Sequence, residues 1–136
     1  MLQMLSRIDM HICIRPPDST LSDEYAGFLM GLGLQGHLAD FPVLTLCDIL
    51  SKSHELTNIA LLLGLAAHKR GTMDAFVGRM LSIHVHEMVP SSTVEVGVTP
   101  LIQNAALVAL GLLYQETGHR RTAEVCFCQA FIVFFV

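Results

Sequence analysis

The sequence predicts an all-α protein, built as a helical-hairpin repeat solenoid of about three repeats. A motif of small and apolar residues occurs three times, as AGFLMGLGLQGH (26–37), LLLGLAAHKRGT (61–72) and AALVALGLLYQETGH (105–119). Each copy centres on a Gly-Leu pair and ends at a second glycine; the paired glycines are Gly31 and Gly36, Gly64 and Gly71, and Gly111 and Gly118. A motif repeated at this spacing is typical of paired helices that stack on one another.

Start and stop signals place the first three helices. Ser22-Asp23-Glu24 offers a capping hydroxyl and first-turn acids for a helix over about 25–34, which Gly36 would end. A second helix is predicted over 44–51, after Pro42. Ser53 is the predicted cap of a third, over about 54–69, which Gly71 would end in the left-handed conformation.

The second half of the chain carries similar signals. Thr72 or Asp74 is expected to cap a fourth helix that runs to about residue 84, and a loop rich in turn formers covers 88–100. Thr99-Pro100 opens a fifth helix that is predicted to end at Gly118, because proline suits the first helical position. A sixth helix is predicted from about residue 120 into the apolar end of the sequence.

These elements predict two regions. Residues 1–24 form an irregular amino-terminal segment, in which MHICI (10–14) alternates weakly like a strand. Residues 25–136 form the repeat domain. Its repeats lie near 25–53, 54–98 and 99–136.

The third predicted helix contains Gly64 in its interior, and small residues on one face of the helix give a reason for it. Ala60, Gly64 and Ala67 fall at i, i+4 and i+7, which places them on one stripe. Glycine inside a helix costs about 1 kcal/mol relative to alanine, so its use here predicts close packing against a neighbouring helix. The first and fifth helices are also rich in alanine and glycine, and the same packing is expected there.

Composition limits the function classes. The 136 residues are 52% hydrophobic and 15% charged, with a mean hydropathy of +0.55, so much of the surface is expected to be covered by partners. The net charge of −4, with eight lysines and arginines, argues against nucleic-acid binding. A small helical membrane-associated protein is an alternative, although no apolar run reaches the length of a spanning helix. Four cysteines at this spacing predict a reducing compartment, not a disulfide framework.

The quoted motifs, together with KRGTMD and YQETGHR…AEV, resemble the proteasome/cyclosome (PC) repeat family, and the cyclosome branch most closely. The resemblance covers about 25–125. It implies a partial α-toroid and a non-catalytic scaffold fragment of the anaphase-promoting complex, a cell-cycle ubiquitin ligase of the nucleus and cytoplasm. Its partners would be other subunits of that complex, with no cofactor. The alternative in the same class is a PC-repeat subunit of the proteasome regulatory particle. A full toroid takes more repeats than are present here, so the chain is expected to be a fragment.

Three motifs invite a chemical interpretation, and the sequence disfavours each. GLGLQG (31–36) spells a dinucleotide fingerprint, but its glycines close an apolar helix instead of following a strand. The spacing of His84, His86, Glu87, Cys126 and Cys128 matches no common zinc pattern. No nucleophile, base and orienting residue form a recognisable set, so the chain is not expected to be an enzyme.

Two basic clusters stand at repeat turns. They are His68, Lys69 and Arg70, and His119, Arg120 and Arg121. The plain interpretation is that they are solvated helix ends. Because the turns of a solenoid line up along one rim, the alternative is a docking ridge for acidic partner segments.

The end of the sequence departs from the family's polar continuation. AFIVFFV (130–136) combines high β-propensity with no charge and no proline, which predicts an aggregation-prone segment. We expect the isolated chain to self-associate, and we expect removal of 126–136 to improve its solubility.

Overall fold

A computed structural model describes residues 23–52, 54–89 and 98–135. This part of the chain is all-helical and contains no strand, which confirms the predicted fold class. The helices are α1 (Asp23–Leu34), α2 (Val43–Ser51), α3 (Glu55–His68), α4 (Ala75–Ser82), α5 (Pro100–Leu113) and α6 (Arg120–Phe135). The MHICI segment and most of the 88–100 loop lie outside the described residues.

The helix starts follow local capping chemistry. Asp74 caps α4 by accepting hydrogen bonds from the Phe76 and Val77 amides at 3.0 and 3.1 Å, as predicted. Thr99 caps α5, with Pro100 in its first turn, as predicted. At α3 the prediction is wrong, because His54 and not Ser53 is the capping residue.

Helices α1, α3 and α5 form an inner layer in which α3 packs between the other two. The outer helix α2 packs on α3, α4 packs mainly on α5, and α6 packs on α5. A buried apolar core that includes Leu29, Leu61, Leu81 and Leu110 joins the two layers. This arrangement of inner and outer helices is compatible with a stack of helical hairpins.

Hydrogen bonds at both ends show that α3 and α5 run parallel. At their amino ends, the Thr99 hydroxyl donates to the Glu55 carboxylate. At their carboxyl ends, the Gly71 amide donates to the Leu112 carbonyl at 3.0 Å. The turns that follow α3 and α5 therefore lie on the same side of the stack.

The apolar end of the chain is helical and not extended. Helix α6 continues to Phe135, and its Gln129 side chain is buried and accepts a hydrogen bond from Gln103 at 3.4 Å. The sixth helix therefore continues into this segment, as predicted. In the part of the chain that the structure describes, no helix is both long and apolar enough to cross a membrane.

Candidate interaction rim

The turns that follow the inner helices form one continuous edge of the stack. We call residues 35–37, 68–74 and 114–121 the turn rim. Each of its three turns contains a left-handed glycine, with φ of 88° at Gly36, 71° at Gly71 and 67° at Gly118. The value at Gly71 confirms the predicted helix stop. Glycine adopts this conformation without the steric penalty that a β-carbon brings.

Each of the first two turn glycines packs against the end of the next inner helix. A β-carbon on Gly36 would lie 2.5 Å from two ring atoms of His68, at the end of α3. A β-carbon on Gly71 would lie 3.2 Å from the carbonyl oxygen of Gln115, just beyond α5. In both pairs, α1 with α3 and α3 with α5, the turn after one inner helix contacts the carboxyl end of the next.

The glycines of the Gly-Leu pairs occupy three different environments. Gly64 is buried in α3, and a β-carbon on it would lie 3.0 Å from the Cα atom of Gly33. A β-carbon on Gly31 or Gly111 would meet nothing within 4 Å. The close approach expected at all three is thus found at Gly64 alone, because Gly33 and not Gly31 faces α3. Gly118 also has open space around it.

Two histidines cap helices in the same way, and neither cap was predicted from the sequence. The Nδ1 atom of His54 accepts from the Thr57 amide at 3.3 Å and lies 2.8 Å from the Thr57 hydroxyl. His119 and Thr122 repeat both distances at the start of α6. The available signal was the recurrence of His-x-x-Thr directly before two apolar helices. The His119 ring also lies 4.9 Å, between centroids, from that of Tyr114.

The basic residues of the turn rim differ in their partners. Lys69 forms an ion pair with Asp74 at 3.3 Å, and Arg120 forms one with Glu124 at 2.6 Å. Arg70 and Arg121 are exposed, and neither forms an ion pair with a residue that the structure describes. The exposed His68 ends α3.

The carboxylate of Asp74 is stabilised in its charged form. The hydrogen bond from the Val77 amide is the main cause that lowers the pKa of Asp74, and Lys69 lowers this pKa further. Burial of the carboxylate acts in the opposite direction. The negative charge also lies at the amino end of α4, where the helix dipole favours it. Asp74 is therefore a structural cap and ion-pair partner.

The turn rim also contains strained backbone. Among the described residues, Met73 and Glu116 are the non-glycine residues with positive φ, at 52° and 60°. One lies in the turn after α3 and the other in the turn after α5. Hydrogen bonds from the Gly71 and Met73 amides to the carbonyls of Leu112 and Leu113 hold the turn after α3 against the end of α5. Such conformations cost about 1–3 kcal/mol each and persist where surrounding contacts impose them.

The structure does not assemble the other motifs into sites. Gly31 and Gly33 of the GLGLQG motif lie within α1, which is not preceded by a described strand. His84 Nδ1 lies 2.9 Å from the carbonyl oxygen of Met80, one helical turn back. No group of three metal-ligating side chains occurs within residues 23–52, 54–89 and 98–131. Cys126 is half-buried, and burial raises the pKa of its thiol.

Two family models match the chain in succession. Residues 5–70 match the model described as the APC1 fourth domain, and residues 75–130 match the APC1 fifth domain. The junction between the two matches falls in the turn between α3 and α4.

Full-length relatives agree with these matches. Anaphase-promoting complex subunit 1 of Mus musculus is 51% identical over 111 residues, which cover 82% of this chain. The Negative regulator of mitosis of Emericella nidulans is 45% identical over 105 residues, and subunit 1 of Schizosaccharomyces pombe is 42% identical over 106. These cover 77% and 78% of this chain. The chain spans only 6%, 5% and 7% of the three relatives, in that order.

The fold agrees with the family assignment. Helices α1 and α3 pack through Gly33 and Gly64, and the turns that follow the inner helices contain the second glycines of the GLGLQGH, KRGTMD and YQETGHR motifs. The matches to both domain models together extend across most of the chain. The chain belongs to the family of anaphase-promoting complex subunit 1.

Proposed function

We propose that this chain is a non-catalytic scaffold segment of the anaphase-promoting complex, where it holds partner subunits and supports progression through mitosis. The observation that carries the proposal is the succession of matches to the fourth and fifth domains of subunit 1. The name of the Emericella nidulans relative places that protein in the control of mitosis, in agreement with this role. We further propose that the segment acts without a cofactor, in the nucleus and cytoplasm.

The geometry supports scaffolding. Backbone contact between Gly33 and Gly64 and a core that spans both helix layers give a rigid stack. Large apolar side chains nevertheless remain exposed on its surface, including Leu101 and Val108 of α5 at 58% and 59% exposure. Exposed apolar surface of this kind is typical of sites that contact other proteins. We propose 25–136 as the repeat domain that presents these surfaces.

Co-purification tests the proposal. An epitope-tagged full chain is expressed in dividing cells, and the proteins that it retains are identified by mass spectrometry. We expect subunits of the anaphase-promoting complex, and we expect a Gly33→Leu variant, which breaks the α1–α3 contact, to retain fewer of them. Retention of proteasome regulatory-particle subunits instead, or of neither set, would contradict the proposal.

A further inference from the structure

We propose that the turn rim binds an acidic segment of a partner protein. This inference rests on the proposed scaffold function, because it names the chemistry of one partner surface. Four of the six lysines and arginines in the described residues lie on the turn rim, against two carboxylates within it, Asp74 and Glu116, and the exposed Asp40 just beyond its first turn. The chain as a whole has a net charge of −4, so the positive turn rim stands out from an otherwise acidic protein.

The opposite edge of the stack has the reverse charge. The inner helices begin there, and the first turns of α1 and α3 contain Asp23, Glu24 and Glu55. The lysine at that edge, Lys52, is paired with Asp48 at 3.3 Å. The two edges therefore differ in sign, and an acidic segment would be attracted to the turn rim and repelled by the opposite edge.

Arg70 and Arg121 are the residues available to such a segment. Both are exposed, and neither is paired with a described carboxylate, in contrast to Lys69 and Arg120. Arg121 lies in the first turn of α6, which contains no acidic residue. A cation near a helix amino end interacts unfavourably with the helix dipole. Carboxylates of a bound segment would pair with the two guanidinium groups and relieve this repulsion.

The backbone of the turn rim is held in place before binding. The hydrogen bonds from Gly71 and Met73 fix the turn after α3 to the last residues of α5, and Gly71 lies against Gln115 at the start of the next turn. The strained residues Met73 and Glu116 lie in these same turns, and strained backbone clusters at binding sites. A surface fixed in this way loses little conformational entropy when a ligand binds.

The observations favour an acidic peptide over a nucleic acid. A nucleic acid is a long polyanion, and it would extend past the turn rim onto a protein of net negative charge. A short acidic segment needs only the turns themselves. Glu116 lies between the two clusters and is expected to repel it.

Fluorescence anisotropy tests the proposal. The probe is a fluorescein-labelled peptide of alternating Glu and Ser, its neutral counterpart has Gln for Glu, and the full chain is titrated below its self-association range. We expect the acidic peptide to bind more tightly than the neutral one. The double variant Arg70→Gln/Arg121→Gln should weaken binding of the acidic peptide by about 2-fold to about 30-fold. This range corresponds to the loss of two exposed ion pairs of ordinary strength.

Two further variants make the test specific to the turn rim. Lys52→Gln/Arg79→Gln removes the same charge elsewhere and is expected to leave binding within about 2-fold of the wild type, while Glu116→Gln should strengthen it. Circular dichroism verifies that each variant is folded. Equal losses in the two double variants would overturn the proposal. So would tighter binding of a labelled single-stranded oligonucleotide that Arg70→Gln/Arg121→Gln abolishes.

Failure of this inference and failure of the scaffold function give different results. If wild-type chain and Arg70→Gln/Arg121→Gln retain the same subunits, and the acidic peptide does not bind, the scaffold function stands and the turn rim has no such role. If the peptide binds as expected but the tagged chain retains no subunit of the complex, the scaffold function fails and the inference about the turn rim stands.

Discussion

A β-carbon placed on Gly64 would lie 3.0 Å from the Cα atom of Gly33, because α3 and α1 touch backbone to backbone at these two residues. The methyl group of Leu38 closes the same contact, 3.3 Å from that β-carbon position. No residue with a side chain fits between these helices unless they separate. The contact fixes the spacing of the first two inner helices and makes the effect of each glycine testable.

Gly33→Ala is expected to destabilise the fold by about 1–3 kcal/mol, because the added methyl group meets the backbone of Gly64. Gly31→Ala, two residues away in the same helix, is the matched control. It has open space and should stabilise the fold by about 0.5–1 kcal/mol through helix propensity. Urea unfolding measures both. Equal changes in the two variants would show that α1 and α3 do not meet at Gly33.

Gly36→Ala should cost more stability than Gly118→Ala. Both residues have positive φ, so each substitution carries a backbone penalty of about 1 kcal/mol or more. Only Gly36 lies against a ring, that of His68, so only there does a clash add to the penalty. Adding His68→Ala to Gly36→Ala should recover the stability that the clash costs. A double-mutant cycle, with each variant followed by thermal denaturation, measures this coupling. Additive effects would contradict the packing.

Asp74 is expected to make the free energy of unfolding depend on pH in the acidic range. Its folded pKa is lowered, so its contribution is present above the unfolded pKa of about 3.9 and is lost as the pH falls through the lower folded value. Asp74→Asn keeps a capping oxygen but cannot titrate. The difference in unfolding free energy between wild type and Asp74→Asn should therefore shrink as the pH is lowered across this window, and a constant difference would contradict the assignment.

The histidine caps predict a rescue pattern. His54→Ala removes the acceptor of the Thr57 amide and should cost about 1 kcal/mol, within the usual range for losing a cap. His54→Asn should restore most of this loss, because asparagine is among the best capping residues. His119→Ala and His119→Asn should behave in the same way at α6. Unfolding by urea gives the four values, and failure of both asparagine variants would show that capping is not the role of these rings.

Self-association is expected to arise from exposed apolar side chains. Leu101→Gln/Val108→Gln removes two of them from α5, and Phe127→Gln/Phe131→Gln removes two from α6, where they are 71% and 55% exposed. Because Gln129 is buried against α5, these point variants test the apolar end more cleanly than deletion of 126–136. Light scattering should show smaller particles for at least one variant than for wild type. A monodisperse wild-type monomer would refute the prediction.

Much of the local structure could be predicted because its causes are local. The left-handed conformation of Gly71, the Asp74 cap and the Thr99-Pro100 start each depend on a few neighbouring residues. His54 was missed because capping rules favour short polar side chains, whereas here a ring nitrogen, 2.8 Å from the Thr57 hydroxyl, is the acceptor. The sixth helix was also predicted correctly, and it continues into the apolar final segment as far as Phe135.

The sequence by itself determined the all-α class, the order of the helices and the position of the turns, because periodicity, caps and glycines act over a few residues. Tertiary structure alone decided which glycine faces which helix. Gly31 and Gly33 are both small residues in one helix, yet only Gly33 meets Gly64, since the rotation of α1 about its axis is set by its whole buried face. It also decided that the basic turns after α3 and α5 adjoin, because this depends on the parallel stacking of helices that are far apart in the chain.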